Sequence, residues 1–160
     1  MTEVEFGGFY EREYRAVVAL AYALTGDRGV AADIAQDAFL AAWRDWDRVS
    51  AYECPEGWLR RVLVNMARSR WRRTRTEVRG LLRLSNERSG TGLAPSLESE
   101  AFWAEVRALP RRQAQVLALF YAEDRPVHDV AVVLGVSEGT VRALLHQGRQ
   151  TLARRLKEDS

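Results

Sequence analysis

A single cysteine, Cys54, stands in 160 residues, so the chain can form no intrachain disulfide and offers no thiolate cluster for zinc. The two histidines, His128 and His146, are isolated from any cysteine or acidic spacing typical of a metal site. Neither a phosphate-cradling glycine loop nor a nucleophile elbow is present. An enzyme is therefore not expected, nor is a metal or other cofactor. No apolar run approaches the roughly 20 residues needed to span a bilayer. The first residues, MTEVEFGGFYEREY, lack the basic and apolar regions of a signal peptide. These two absences predict a cytoplasmic protein without stable membrane insertion. Hydrophobic content of 47% excludes a wholly disordered chain and supplies the core of one domain or two small ones.

The net charge of +2 hides a segregation that says more than the sum. Residues 1–57 carry 5 Arg against 11 Asp and Glu, whereas residues 58–79 carry 8 Arg against Glu77 alone. An acidic front followed by a basic band suggests two partner surfaces of opposite character, although solvation explains many charge runs.

Phe6 to Leu24 has helical spacing, with Phe9, Tyr14, Val17, Val18, Ala21 and Leu24 facing a core; the helix ends at TGDRG. A second helix is predicted from Val30 to Trp46, capped by Asp27. Ala31, Ala35, Phe39, Ala42 and Trp46 form its buried side, while Asp33, Asp37, Leu40 and Arg44, with Gln36 nearby, form an outer one. By pattern alone this outer stripe is an ordinary solvated face, with docking on a basic helical partner as the alternative. Asp47 to Gly57 reads as a loop containing Tyr52 and Cys54, the thiol being incidental.

The next helix, Glu56 to Arg75, buries Leu59, Val62, Leu63, Met66 and Ala67. Arg61, Asn65, Arg68, Arg72 and Arg75 recur at spacings of four, three, four and three along its other side. Guanidinium groups so aligned suit phosphate oxygens, and an amide within the row can pair with a base edge. No acidic residue between Gly57 and Thr76 offers an intrahelical partner, which favours nucleic acid over a merely solvated face.

From residue 77 to 97 the composition shifts to Gly, Ser, Thr and scattered charge, reading as a flexible linker. Order resumes near Glu98, and Pro110 starts a further helix through Val116, Leu117, Leu119 and Phe120. Pro126 to Leu156 then reads as two helices around a sharp turn. Val127, Val130, Ala131 and Leu134 pattern the first, Gly135 ends it, and Ser137 caps the second. Val141, Leu145 and Leu152 bury the second helix, leaving Thr140, Arg142, Ala143, Leu144, His146, Gln147 and Arg149 on or near its outer faces. This is a helix-turn-helix signature, although a plain helical hairpin with glycine at its bend shares part of it. The fold expected is all-α, in two small helical domains: residues 1–76, a flexible linker 77–97, and residues 98–160 holding the helix-turn-helix.

The words LTGDRGVAADIAQDAFLAAWRDW and WLRRVLVNMARSRWRR in the first half, with LPRRQAQVLALFYAED and VAVVLGVSEGTVRALLHQGRQTLARRL in the second, resemble the extracytoplasmic-function (ECF) group of bacterial sigma factors in the sigma-70 family. The resemblance covers most of the chain. It implies that Asp33, Gln36, Asp37 and Leu40 dock on core RNA polymerase, which overrides the solvated reading. It implies further that Tyr52, Arg61 and Asn65 capture a flipped base of the melted minus-ten promoter strand, with Arg68, Arg72 and Arg75 along the basic helix. Ser137, Thr140, Arg142, His146, Gln147 and Arg149 would read the minus-thirty-five element. The expected partners are core RNA polymerase and promoter DNA, with an anti-sigma factor as a further candidate. The chain departs from the family pattern at Ala143, Leu144 and Gln147, where polar or cationic contacts are common. The competing reading is a self-contained helix-turn-helix repressor or activator.

Overall fold

A computed structural model describes residues 2–77 and 97–158, and every regular element among them is helical. The expected linker 77–97 lies, but for its two end residues, outside the described residues. Among those described, no helix is long and apolar enough to cross a membrane.

Helix α1 (Thr2–Thr25) ends where Gly26 takes the left-handed conformation, φ 72°, and donates to the Tyr22 carbonyl. Helix α2 (Arg28–Arg44) begins at Asp27, whose carboxylate accepts the Val30 amide at 3.0 Å, the cap that the sequence predicts. Its small residues Ala31, Ala35, Ala38 and Ala42 let it lie close against α1, with Ile34 and Phe39 filling the gap between them. Phe6, Phe9, Tyr10, Phe39 and Trp46 form an aromatic layer, with Phe9 and Trp46 ring centroids 5.1 Å apart.

Helix α2 stops at Arg44 rather than Trp46. Asp45 breaks it, and a single turn, α3 (Trp46–Val49), re-aims the chain so that Trp46 and Val49 both enter the core. Part of the predicted loop is therefore helical. Helix α4 (Pro55–Glu77) packs on α1 and α2 through Leu59, Leu63, Val64 and Ala67.

In the second half α5 (Leu97–Arg107) leads to α6 (Arg111–Leu117), which starts after Pro110 as expected. It runs on into a π turn, Ala118–Ala122, and Asp124 adopts φ 53°, a left-handed conformation uncommon outside glycine. Helices α7 (Val127–Leu134) and α8 (Glu138–Glu158) complete this half. Gly148 lets α8 cross α6 closely: a Cβ there would stand 2.7 Å from Leu117 Cδ1.

The two halves do not stand apart. One apolar cluster runs through both, with the π turn and α5 against α1, and α7 against α4.

Candidate nucleic-acid interface

Gly135, at φ 68°, ends α7, and its amide and that of Val136 satisfy carbonyls in the last turn. Ser137 Oγ then accepts the Thr140 amide at 3.0 Å, capping α8. Val141, Leu145 and Leu152 are buried, as the spacing predicts. On the other side Thr140, Arg142, His146, Gln147 and Arg149 are exposed. Leu144 departs from its expected outer position and is half-buried against the core, so its bulk is only partly available to a groove.

These exposed side chains are already oriented. Arg142 donates to Glu138 one turn earlier at 3.2 Å, and His128 Nδ1 lies 3.2 Å from the same carboxylate. Arg149 lies over the Phe120 and Tyr121 rings and donates to the Tyr121 hydroxyl at 2.7 Å. Gln147 accepts a long bond from Gln113 at 3.4 Å.

The cationic helix is different. Arg61 and Asn65 are on the surface, but Arg61 reaches across to the other half, where Nε donates to the Val133 carbonyl at 2.9 Å and Nη2 to the Val132 carbonyl at 2.8 Å. Those carbonyls form the negative end of α7. Gly135 leaves room for the guanidinium, since a Cβ there would come within 3.1 Å of Arg61 Nη2. Arg68 is half-buried in the same cleft between the halves, with Asn65, Arg111, Arg112 and Gln115 around it. Its Nε is buried and has no hydrogen-bond partner among the described residues. The uniform outward stripe expected from Arg61 to Arg75 is thus not what α4 presents: its first part faces the second half of the molecule. Arg72 and Arg75 continue α4, and their side chains lie outside the described ones.

Tyr52 is exposed in the turn before α4, its ring 6.5 Å from Trp58. With Arg61, Arg125 and His128 it lines an open cleft between that turn and α7. Cys54 donates to Glu56 at 3.1 Å. Burial and that bond push its thiol up, so the thiolate is disfavoured.

On α2, Asp33, Gln36, Asp37 and Leu40 are all exposed along one face. Asp33 pairs loosely with Arg70 of α4 at 3.5 Å, and Gln36 donates to the Tyr10 hydroxyl at 2.8 Å. Beside them Phe6, Tyr10, Phe39, Leu40 and Trp43 line a shallow apolar groove, with Leu40 44% and Trp43 40% exposed. Apolar side chains left open beside carboxylates suit a helical partner that brings both apolar and basic groups.

Sequence reasoning missed Arg60. It is 2% exposed, donating to both Glu123 oxygens, to Glu13 and to the Glu56 carbonyl. Burial alone pushes its guanidinium down, but the bonds to Glu123 and the two carboxylate charges outweigh that and hold it above its ordinary value. The signal was available: Arg60, Leu63, Val64 and Ala67 share one helical face at spacings of three, four and seven, placing a charge inside an apolar stripe.

Helices alone among the described residues, an outward helix-turn-helix, and a second arginine-rich helix are the marks of a DNA-binding protein. Residues 9–77 match Sigma-70 region 2, and residues 99–152 match Sigma-70, region 4. The chain belongs to the sigma-70 family and is an ECF-type RNA polymerase sigma factor. It is 32% identical over 157 residues to a probable RNA polymerase sigma factor RfaY of Xanthomonas campestris pv. campestris, covering 88% of this chain and 37% of that protein. With the ECF RNA polymerase sigma factor SigW of Bacillus subtilis it shares 27% identity over 156 residues, 89% of this chain and 83% of the relative. The fold matches that of the sigma factor RpoE from Bartonella quintana, solved with the anti-sigma factor NepR, at a TM-score of 0.77 and 23% identity over 98% of this chain and 99% of that one.

Proposed function

We propose that this chain binds core RNA polymerase in the cytoplasm, directs it to particular promoters and helps to hold the melted strand. The assignment divides at the linker. Residues 1–76 would dock on polymerase and read the minus-ten element, and residues 98–160 would read the minus-thirty-five element. Asp33, Gln36, Asp37 and Leu40 dock on polymerase. Tyr52, Arg61 and Asn65 capture a base of the opened strand, and Arg68, Arg72 and Arg75 follow its phosphates. Ser137, Thr140, Arg142, His146, Gln147 and Arg149 meet the upstream duplex, Ser137 chiefly by fixing the start of the recognition helix. An anti-sigma factor is the natural antagonist for such a chain.

The observation that carries the docking assignment is the exposed Leu40 and Trp43 beside Asp33 and Asp37 on one face of α2. Replacing Asp33→Arg and Asp37→Arg together reverses the charge of that face. The altered chain should no longer co-elute with core polymerase on size exclusion, while its far-UV circular dichroism stays the same. Undiminished co-elution would move the docking surface elsewhere.

A further inference from the structure

We propose that the seam between the two halves holds a binding site for a small organic phosphate, with the apolar body of the ligand in a slot beside α6 and its phosphate among the arginines at the mouth. Two cavities adjoin there, with Val64, Arg68, Arg111 and Gln115 as common walls. The inner one, about 90 Å³, is lined mainly by apolar side chains, among them Leu24, Val64, Ala67, Val106, Leu109 and Ala114. The outer one, about 280 Å³, is polar, with Asn65, Arg68, Arg111, Arg112 and Gln115 around it.

The charge of the seam calls for an anion. Arg61, Arg68, Arg107, Arg111 and Arg112 line these cavities, and no carboxylate is among the described residues lining either. Arg61 and Arg107 donate to backbone carbonyls, which carry no full charge: Arg61 to Val132 and Val133, and Arg107 to Ala23 at 3.3 Å. Burial pushes the Arg107 guanidinium below its ordinary value, and Tyr22 and Glu100 offset only part of that. Arg68 is left with a buried Nε that no described group accepts. Gln115 is 6% exposed, and its side-chain amide has no hydrogen-bond partner among the described residues.

A buried donor on a cation is costly to leave unmet. Water can accept from Nε, but it brings no charge to a place lined by cations. A phosphate monoester brings nearly two negative charges at neutral pH and three acceptor oxygens, enough to serve several guanidinium groups at once. A carboxylate brings one charge and two oxygens. The inner slot adds a second requirement: it has room for about three waters but gives them few partners, so a single ring or short chain fills it better than solvent. A polyhydroxylated body would leave its hydroxyls unmet there. The site lies beyond the promoter-reading assignment, since Arg107, Gln115 and the slot have no part in it; Arg68 is common to both.

The probe is phenyl phosphate, titrated by isothermal calorimetry into the full free chain. It should bind one to one, about tenfold tighter than inorganic phosphate, which lacks the ring, and also tighter than benzoate, which lacks the second charge. Two full-length variants locate the site. Ala114→Leu crowds the slot and should bring phenyl phosphate down to the affinity of inorganic phosphate, leaving the latter unchanged. Arg107→Met removes a cation and should weaken both phosphates alike, by several-fold. Circular dichroism of each unliganded variant reports whether it is folded, and the wild-type ranking decides by itself where one is not. No binding by the wild-type chain, equal affinities for phenyl and inorganic phosphate, or tighter binding of benzoate overturns the proposal. So does phenyl phosphate binding that both folded variants leave unchanged, which would mean anions gathering on exposed arginines elsewhere.

Discussion

Helices α4 and α8 are both long and arginine-rich, yet the closed molecule uses their charges in opposite ways. On α8 the cations face outward, and their partners are on the same helix or beside it: Arg142 on Glu138, Arg149 over Phe120 and Tyr121. On α4 the neighbours Arg60 and Arg61 both reach into the other half, one onto the buried Glu123 while also holding Glu13 of α1, and one onto the end of α7. One helix turns its cations to solvent. The other commits its first two to contacts with the second half. The difference teaches that a run of cations fixes neither their exposure nor their partners; the element packed against them does.

The sharpest way to break this comparison is to remove the buried member. Arg60→Met takes the buried cation from Glu13 and leaves the buried Glu123 with Arg125 alone, and stability should fall by about 3–5 kcal/mol, read as a lower urea midpoint. Arg61→Met, one residue on, loses two surface bonds and should shift the same midpoint by no more than about 1 kcal/mol. Equal losses at the two positions would show that the seam does not distinguish them.

The crossing of α6 and α8 comes next. Gly148→Ala drives a methyl into the buried Leu117 side chain. Overpacking of this kind should lower stability by about 1–3 kcal/mol, measured as a drop in thermal midpoint. Combined with Leu117→Ala it should be less than additive, because the cavity takes up the methyl. Additive losses would place the strain elsewhere. A smaller effect, about 1 kcal/mol, is expected for Ser137→Ala, which removes the cap of α8 and frays the first turn that carries Thr140.

How much was legible beforehand follows the same division. The second half is governed by local rules, so Gly135, Ser137 and the Val141, Leu145, Leu152 stripe could be read from spacing and cap chemistry. So could Asp27 and the alanine face of α2. The burial of Arg60 could be read from its place in an apolar stripe but its partners could not, because they are 47 and 63 residues away in sequence and no local rule pairs a helix arginine with distant glutamates. Arg68 was read as outward for the same reason: spacing fixes a helix face, not the neighbour that covers it. The short turn of α3 escaped because its four residues are fewer than a periodic pattern needs. The π turn carries no sequence mark of its own, and it is what delivers Glu123 to the seam.

The smallest change in stability should carry an instructive change in binding. Glu138 lies in the first turn of α8, where a carboxylate favours the helix dipole, and it is shared by Arg142 and His128 across solvent-exposed gaps. Surface pairs of this kind contribute little, so Glu138→Gln should alter stability by no more than about 0.5 kcal/mol. In the proposed complex with DNA the same carboxylate would act twice against affinity, by engaging Arg142 and by facing phosphate with like charge. Its removal should therefore tighten binding to a promoter duplex and steepen the dependence of log affinity on log salt by about one ion, measured by fluorescence anisotropy across a salt series. Weaker binding with a changed base preference would mean that Glu138 itself accepts from a base, as a carboxylate can from a cytosine amine, and the outer face of α8 would then begin one turn earlier than its cations suggest.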